Sequence, residues 1–125
     1  MKIRIDPLDV QFSLYIRTKA GWKCECCRRQ FYPPTAQLQN SHFHGRRKKS
    51  VRWDPENCAA LCFSCHRRFT EHPLEHVEWF SKRLGVTRFN ALTVKANSLT
   101  KPDKEMIRIW LKEKMKEIES ESACQ

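Results

Sequence analysis

Leu8, Phe12, Tyr15 and Ile16 share one face at 3.6-residue spacing, directly after Asp6-Pro7, an N-cap followed by a first helical residue with no N–H to satisfy. This pattern predicts a helix that Gly21 can end. The helical period is then lost, and Pro33-Pro34 stops regular structure. Residues 36–44 read as extended chain. As a strand they send Leu38, Asn40, His42 and His44 to one face and Gln39, Ser41 and Phe43 to the other. Residues 45–50 form a polar loop, residues 51–53 a short return strand, and Asp54-Pro55-Glu56-Asn57 carries turn chemistry. A further helix is expected within residues 58–70, ending before Pro73.

From Pro73 onward the period is helical again. One helix carries Val77, Phe80 and Leu84 on its apolar face, with Gly85 after it. A second is capped by Thr87 and carries Phe89, Leu92 and Val94. A third opens at Thr100-x-x-Asp103 and holds an apolar stripe of Ile107, Trp110, Leu111, Met115 and Ile118. Residues 119–125 are expected to fray. The whole reads as one α+β domain over 1–125, with an N-terminal helix in 1–21, a cysteine-rich core in 22–72 and C-terminal helices in 73–125.

Composition narrows the function. The chain has 125 residues, 40% hydrophobic and 30% charged, which fits a single globular domain. Its longest uncharged run, residues 30–45, is polar and broken by two prolines, so it cannot cross a bilayer. Residues 1–9 lack the basic start and apolar stretch of a signal peptide, so a cytoplasmic protein without a membrane partner is expected. Lys and Arg total 24 against 14 Asp and Glu, a net charge of +10, which suits a polyanionic partner. The charge is concentrated: residues 16–53 carry ten basic side chains and one acidic. No glycine-rich nucleotide loop is present, which removes Rossmann and P-loop chemistry.

The seven cysteines include two C-x2-C pairs, Cys24 with Cys27 and Cys62 with Cys65, separated by 34 residues. Each pair lets a tight turn present two thiolates to one ion, and two pairs complete the tetrahedron of a structural zinc site. An odd cysteine count without a signal peptide argues against a disulfide framework. No βαβ pattern surrounds either pair, which argues against a redox role. Cys26 is a competing ligand beside the first pair, and Cys58 and Cys124 are spare thiols.

Between the knuckles lies Ser41-His42-Phe43-His44, and then Asn57-Cys-Ala-Ala-Leu-Cys-Phe-Ser-Cys-His66. Fourteen residues separate His42 from Asn57, and eight separate Asn57 from His66. This arrangement resembles the HNH, or ββα-metal, endonuclease family. Residues 41–65 are most similar to phage members, the Rap/NinG-like recombination nucleases among them, and the paired knuckles bear a more distant likeness to phage endonuclease VII. The resemblance covers residues 22–72. It implies a small ββα-metal core braced by the four-cysteine zinc site, and a metal-dependent endonuclease that nicks or cuts double-stranded or branched DNA in a bacterial or phage-infected host cell.

Phosphodiester hydrolysis needs an in-line water, a base to deprotonate it and positive charge at the leaving oxygen. Carried over by position, His42 is the general base, Asn57 fixes the loop between the strands, and His66 holds a catalytic divalent cation, Mg²⁺ or Mn²⁺, distinct from the structural zinc. Ser41, His44 and His72 are the candidate further ligands. Two positions depart from the family. Ser41 stands where the family often has Asp or His, and no His or Lys follows His66 one turn along its helix. His72 comes six residues on, off the i+4 face. His76 reads as a surface or satisfied helix histidine. Arg46, Arg47, Lys48, Lys49 and Arg52 are expected to bind DNA phosphates, which gives affinity but little sequence information.

Two other readings compete. One is a zinc-containing DNA-binding module without catalysis, which needs the knuckles and the basic loop but not His42 with His66. The other is an adaptor that pairs through the C-terminal helix with itself or a partner. The preferred use of that stripe is packing onto its own core, although a homodimer suits an enzyme that must cut two strands.

Overall fold

The computed structural model describes residues 4–123. Helix α1 (Pro7–Lys19) begins with a capping box. The Asp6 side chain accepts from Leu8 N, and the Asp9 side chain accepts from Asp6 N, so two otherwise orphaned donors are satisfied. Its Leu8, Phe12, Tyr15 and Ile16 face is buried as the periodicity predicts. The chain leaves through Gly21 and Trp22, both at positive φ (67° and 60°), a reversal that glycine eases.

Strands β1 (Leu38–His42) and β2 (Cys58–Cys62) form a two-stranded antiparallel sheet, with Leu38 opposite Cys62 and His42 opposite Cys58. The return strand is therefore not residues 51–53. The segment Lys49–Val51 is a 3₁₀ turn, and pairing waits until after a second 3₁₀ turn at Pro55–Asn57. Every residue of β2 is buried because helices α1 and α2 (Phe63–Glu71) both pack on this sheet. A two-stranded hairpin is marginal in water by itself, and here the helices supply its core. Helix α2 begins directly after β2, with Cys62 as its N-cap.

Helix α3 (Pro73–Leu84) packs on α2, and α4 (Val86–Ala96) packs on α3. The covered residues differ in part from the expected ones. Phe80, Leu84, Leu92 and Ala96 are buried, while Val77 and Val94 are exposed. Thr87 does not cap α4; Gly85, at φ 86°, occupies that position without a side-chain bond. An aromatic cluster joins α2, α3 and the segment after β1. Phe43 stacks on Phe80 (4.6 Å) and meets Phe89 edge-on (5.5 Å), while His76 stacks on Phe69 (4.9 Å). His76 thus belongs to this cluster rather than to an open surface.

Helix α5 (Lys104–Ala123) returns along α1. Asp103, not Thr100, provides its first-turn bonds, accepting from Glu105 N and Met106 N. Leu111 is buried, and Ile107, Met115 and Ile118 pack against the core. Trp110 stays partly exposed and meets Tyr15 edge-on at 5.3 Å. The helix runs through most of the stretch expected to fray; Cys124 lies outside the described residues. No helix among these residues is long and apolar enough to cross a membrane.

Candidate metal centre and histidine cleft

The four cysteines of the two pairs converge. Their Sγ atoms all lie within 4.8 Å of one another, and Cys27 Sγ is 3.8 Å from Cys62 Sγ. A tetrahedral Zn²⁺ with bonds of about 2.3 Å has sulfur–sulfur edges of roughly 3.8 Å, so the cluster fits such an ion. Local structure aims the sulfurs inward. Arg28 takes a left-handed conformation (φ 69°) right after Cys27, and its N–H donates to Cys24 O at 2.9 Å, closing the first knuckle. In the second, Cys65 N donates to Cys62 Sγ at the start of α2. Burial opposes ionisation of Cys24, yet the backbone N–H groups of Cys27, Cys62 and Cys26 bring its thiol down to about 7. Burial and the neighbouring sulfurs push Cys65 up, a cost that a bound cation removes by taking the thiolate. Cys26 and Cys58 stand outside the cluster. Cys58 is fully buried, and burial raises its thiol well above the ordinary value.

Glu25 ties this centre to the rest of the fold. Its carboxylate accepts from Ala60 N of β2 (2.6 Å) and from Arg83 of α3 (3.0 Å), while Arg83 also donates to Cys58 O.

His42, at the end of β1, and His66, in the first turns of α2, line one cleft of about 580 Å³. Asp9, Ser13 and Arg17 of α1, Gln39 and Asn40 of β1, and Arg46 of the loop complete its polar lining. His42 Nε2 lies 2.9 Å from the Arg52 carbonyl oxygen. A carbonyl only accepts, so Nε2 carries the proton and Nδ1 holds the lone pair. His66 Nδ1 lies 2.6 Å from Gln39 Oε1, which leaves its Nε2 bare in the neutral ring. Burial holds both imidazoles below their ordinary pKa, so both are neutral at neutral pH. At His42 the positive charges of Arg46 and Arg52 push the same way, whereas Asp9 and the bond to the Arg52 carbonyl oppose them.

Asn57 is completely buried and closes the loop after β1. Its Oδ1 accepts from His44 N (2.8 Å), and its Nδ2 donates to His44 O (2.9 Å) and Val51 O (3.1 Å). Ser50 Oγ adds a bond to Lys95 O of α4 at 2.6 Å. The loop carrying Arg46, Arg47, Lys48 and Lys49 is thus held at both ends. Lys48 and Lys49 point outward, with Lys48 Nζ 3.3 Å from Asn97 Oδ1.

Four expected site residues are not where the sequence reading put them. Ser41 is 2% exposed and does not line the cleft, because it sits opposite Ala59 on a strand covered by helices. His44 turns its ring against Phe43 (4.9 Å) and is likewise absent from the lining. His72 stands exposed at the joint between α2 and α3, off the helix face that carries His66, and does not line the cleft. Arg52 is buried: its guanidinium donates to both Asp9 carboxylate oxygens and to Arg4 O, so it does not present itself to a phosphate.

Sequence reasoning missed the contribution of α1. Asp9, Ser13 and Arg17 lie on the helix face away from the Leu8–Phe12 side, a spacing that gives no sign of what they meet. The Asp6-Pro7 cap was legible, but it announces only a helix start. The strand alternation set Gln39 on the face opposite His42, whereas both line the cleft, and it gave no sign of the bond from Gln39 to His66.

No protein-family model matches the chain, and no curated protein or solved structure is detectably similar to it.

Proposed function

We propose that this protein is a metal-dependent DNA endonuclease in which β1, β2 and α2 act as the ββα-metal unit of an HNH enzyme and the four cysteines brace it with zinc. The observation that carries the reading is the pairing of His42 and His66 in one cleft. Each ring has one nitrogen tied to a neighbouring acceptor and one left bare. A neutral imidazole with a fixed tautomer is what a general base requires, and a histidine whose other nitrogen is bonded to a side-chain carbonyl is what a metal ligand requires.

In this reading His42 Nδ1 takes the proton of the attacking water, and the Arg52 carbonyl stabilises the imidazolium that results. His66 Nε2 would hold Mg²⁺ or Mn²⁺, which supplies positive charge at the scissile phosphate and its leaving oxygen. Ser41, His44 and His72 leave the ligand set. Asp9 does not replace them, because Arg52, Trp53 and Asp6 N occupy its oxygens. The donor set fits an ion held by one imidazole, water and substrate phosphate. Arg46 in the cleft, with Arg47, Lys48 and Lys49 on the anchored loop, provides the phosphate-binding surface, and the fixed loop ends lower the entropy cost of that contact.

The small ligand set also favours a second reading, a zinc-braced DNA-binding module without catalysis. Supercoiled-plasmid cleavage separates the two. Wild type and His42→Ala, both folded and zinc-loaded, are compared with Mg²⁺, with Mn²⁺ and with no added metal. Nicking by wild type that needs metal and vanishes in His42→Ala supports the nuclease. If neither protein cuts and both retard DNA at low salt, the binding module takes its place.

A further inference from the structure

We infer that Asp9 is a positioning residue for His42, acting through Arg52. The inference uses the nuclease reading for its catalytic readout and stands on bond geometry otherwise. Asp9 sits in the first turn of α1, and four donors saturate its carboxylate. Oδ1 accepts from Arg52 Nε (3.0 Å) and Trp53 Nε1 (2.9 Å); Oδ2 accepts from Arg52 Nη2 (2.5 Å) and Asp6 N (2.8 Å). With every lone-pair direction engaged, Asp9 is neither a base nor a ligand. It instead clamps two consecutive side chains, Arg52 and Trp53, to α1.

The consequence falls on the peptide between them. The carbonyl of Arg52 is the acceptor for His42 Nε2, at 2.9 Å. Its position decides which nitrogen of His42 carries the proton and so which one is basic. Arg52 follows the short 3₁₀ turn at Lys49–Val51, on a connection with no strand pairing of its own. The Asp9 and Arg52 side chains are 9% and 11% exposed, so the pair is well shielded from water. If the carboxylate is removed, Arg52 holds a buried charge without a counter-ion and turns toward solvent, carrying its carbonyl with it. The titratable and charged groups around the His42 ring are Asp9 and Arg17 from α1, Arg46 and Arg52 from the loop, and His66 from α2, so among the described residues Asp9 is the only acidic one lining the cleft. This relay links the N-terminal helix to the histidine, a connection that no spacing in the sequence announces.

Imidazole ¹⁵N NMR on the zinc-loaded full chain tests it directly. Wild-type His42 should show a single tautomer with the proton on Nε2. Asp9→Asn should give a mixture of both tautomers, and on plasmid DNA its kcat should fall about tenfold to a hundredfold with KM unchanged. Asp9→Glu should restore much of the single tautomer. A merely structural Asp9 would lower Tm and leave the tautomer as it is. A folded Asp9→Asn with His42 still wholly Nε2-protonated, and kcat at the wild-type value, overturns the inference. If Asp9→Asn does not fold, Arg52→Lys, which keeps the charge and loses the fork, must show the same tautomer mixing or the inference fails. If wild type proves inert on every DNA tested, the nuclease reading falls while the tautomer still decides the positioning role.

Discussion

Gln39 Oε1 accepts a hydrogen bond from His66 Nδ1 at 2.6 Å, joining β1 to the first turns of α2. This bond orients the ring and leaves Nε2 bare, the atom that would ligate the cation in the proposed site. Gln39→Ala should therefore raise the divalent-metal concentration needed for cleavage by about 10-fold to 100-fold, the usual effect of losing a ligand's supporting bond. A Mn²⁺ titration of plasmid nicking measures it. An unchanged half-saturating concentration would remove His66 from the metal site.

The pH dependence follows from burial. His42 titrates below the ordinary imidazole value of 6.5, since burial and the charges of Arg46 and Arg52 disfavour its protonated form. In the nuclease reading the base is lost only when the ring takes a proton, so the acid limb of kcat/KM should lie below pH 6.5. Stability moves in the same direction. His42, His44, His66 and His76 all have lowered values, so the unfolded chain binds more protons below pH 6.5 and stability falls as pH drops through that region. Asp6 and Asp9, also lowered, add a further loss as pH falls below 3.8. Thermal melts from pH 8 to pH 3 at fixed zinc check this, and a flat profile between pH 7 and pH 5 would contradict it.

Asn57→Ala strips three hydrogen bonds from a site with no solvent access, leaving His44 N and the carbonyls of His44 and Val51 short of partners. Unsatisfied buried groups of this kind cost roughly 2–3 kcal/mol in total once the cavity relaxes. Urea denaturation measures that loss. DNA affinity at low salt should also fall, because the basic loop is no longer held.

The basic residues should separate into two classes. Lys49→Ala should reduce the slope of log affinity against log salt by about one and leave stability within roughly 0.5 kcal/mol of wild type. Arg52→Ala should do the reverse: the salt slope stays, while stability falls by about 3 kcal/mol as Asp9 is left buried without its counter-ion. Salt-titrated fluorescence anisotropy and chemical denaturation, run on both variants, distinguish the classes. An Arg52→Ala slope as shallow as that of Lys49→Ala would restore Arg52 to the DNA contacts.

Metal loss at the cysteine cluster should unfold the site rather than trim it. The cluster joins the first knuckle to the end of β2 and the start of α2, and β2 belongs to a sheet of two strands that is marginal without such support. Cys62→Ser should abolish one equivalent of bound zinc and shift the melt from cooperative to broad, read by metal analysis and calorimetry together. Cys58→Ser, a buried thiol outside the cluster, should keep its zinc.

The periodicity alone located α1 and its buried face, α3 to α5 in outline, and the extended segment before the loop, because each of these elements is a local response to side-chain spacing. The spacing of Cys24, Cys27, Cys62 and Cys65 likewise pointed to one cluster, since two C-x2-C turns have few other ways to use four thiols. What the sequence left open was every question of orientation across elements. It set the return strand at residues 51–53, where two 3₁₀ turns intervene, because an arginine and a tryptophan look strand-like until Asp9 claims both of their donors. It grouped Arg52 with the exposed basic residues because charge in a sequence carries no sign of a buried counter-ion 43 residues away. Ser41, His44 and His72 were plausible ligands by distance along the chain, but β1 is covered by helices and Phe43 holds the His44 ring. Only the packing of α1 and α2 on the same two strands decided that His42 and His66 would share a cleft and that Asp9 would stand behind one of them, since local spacing fixes where a side chain points on its own element, while the contacts between elements decide what it meets.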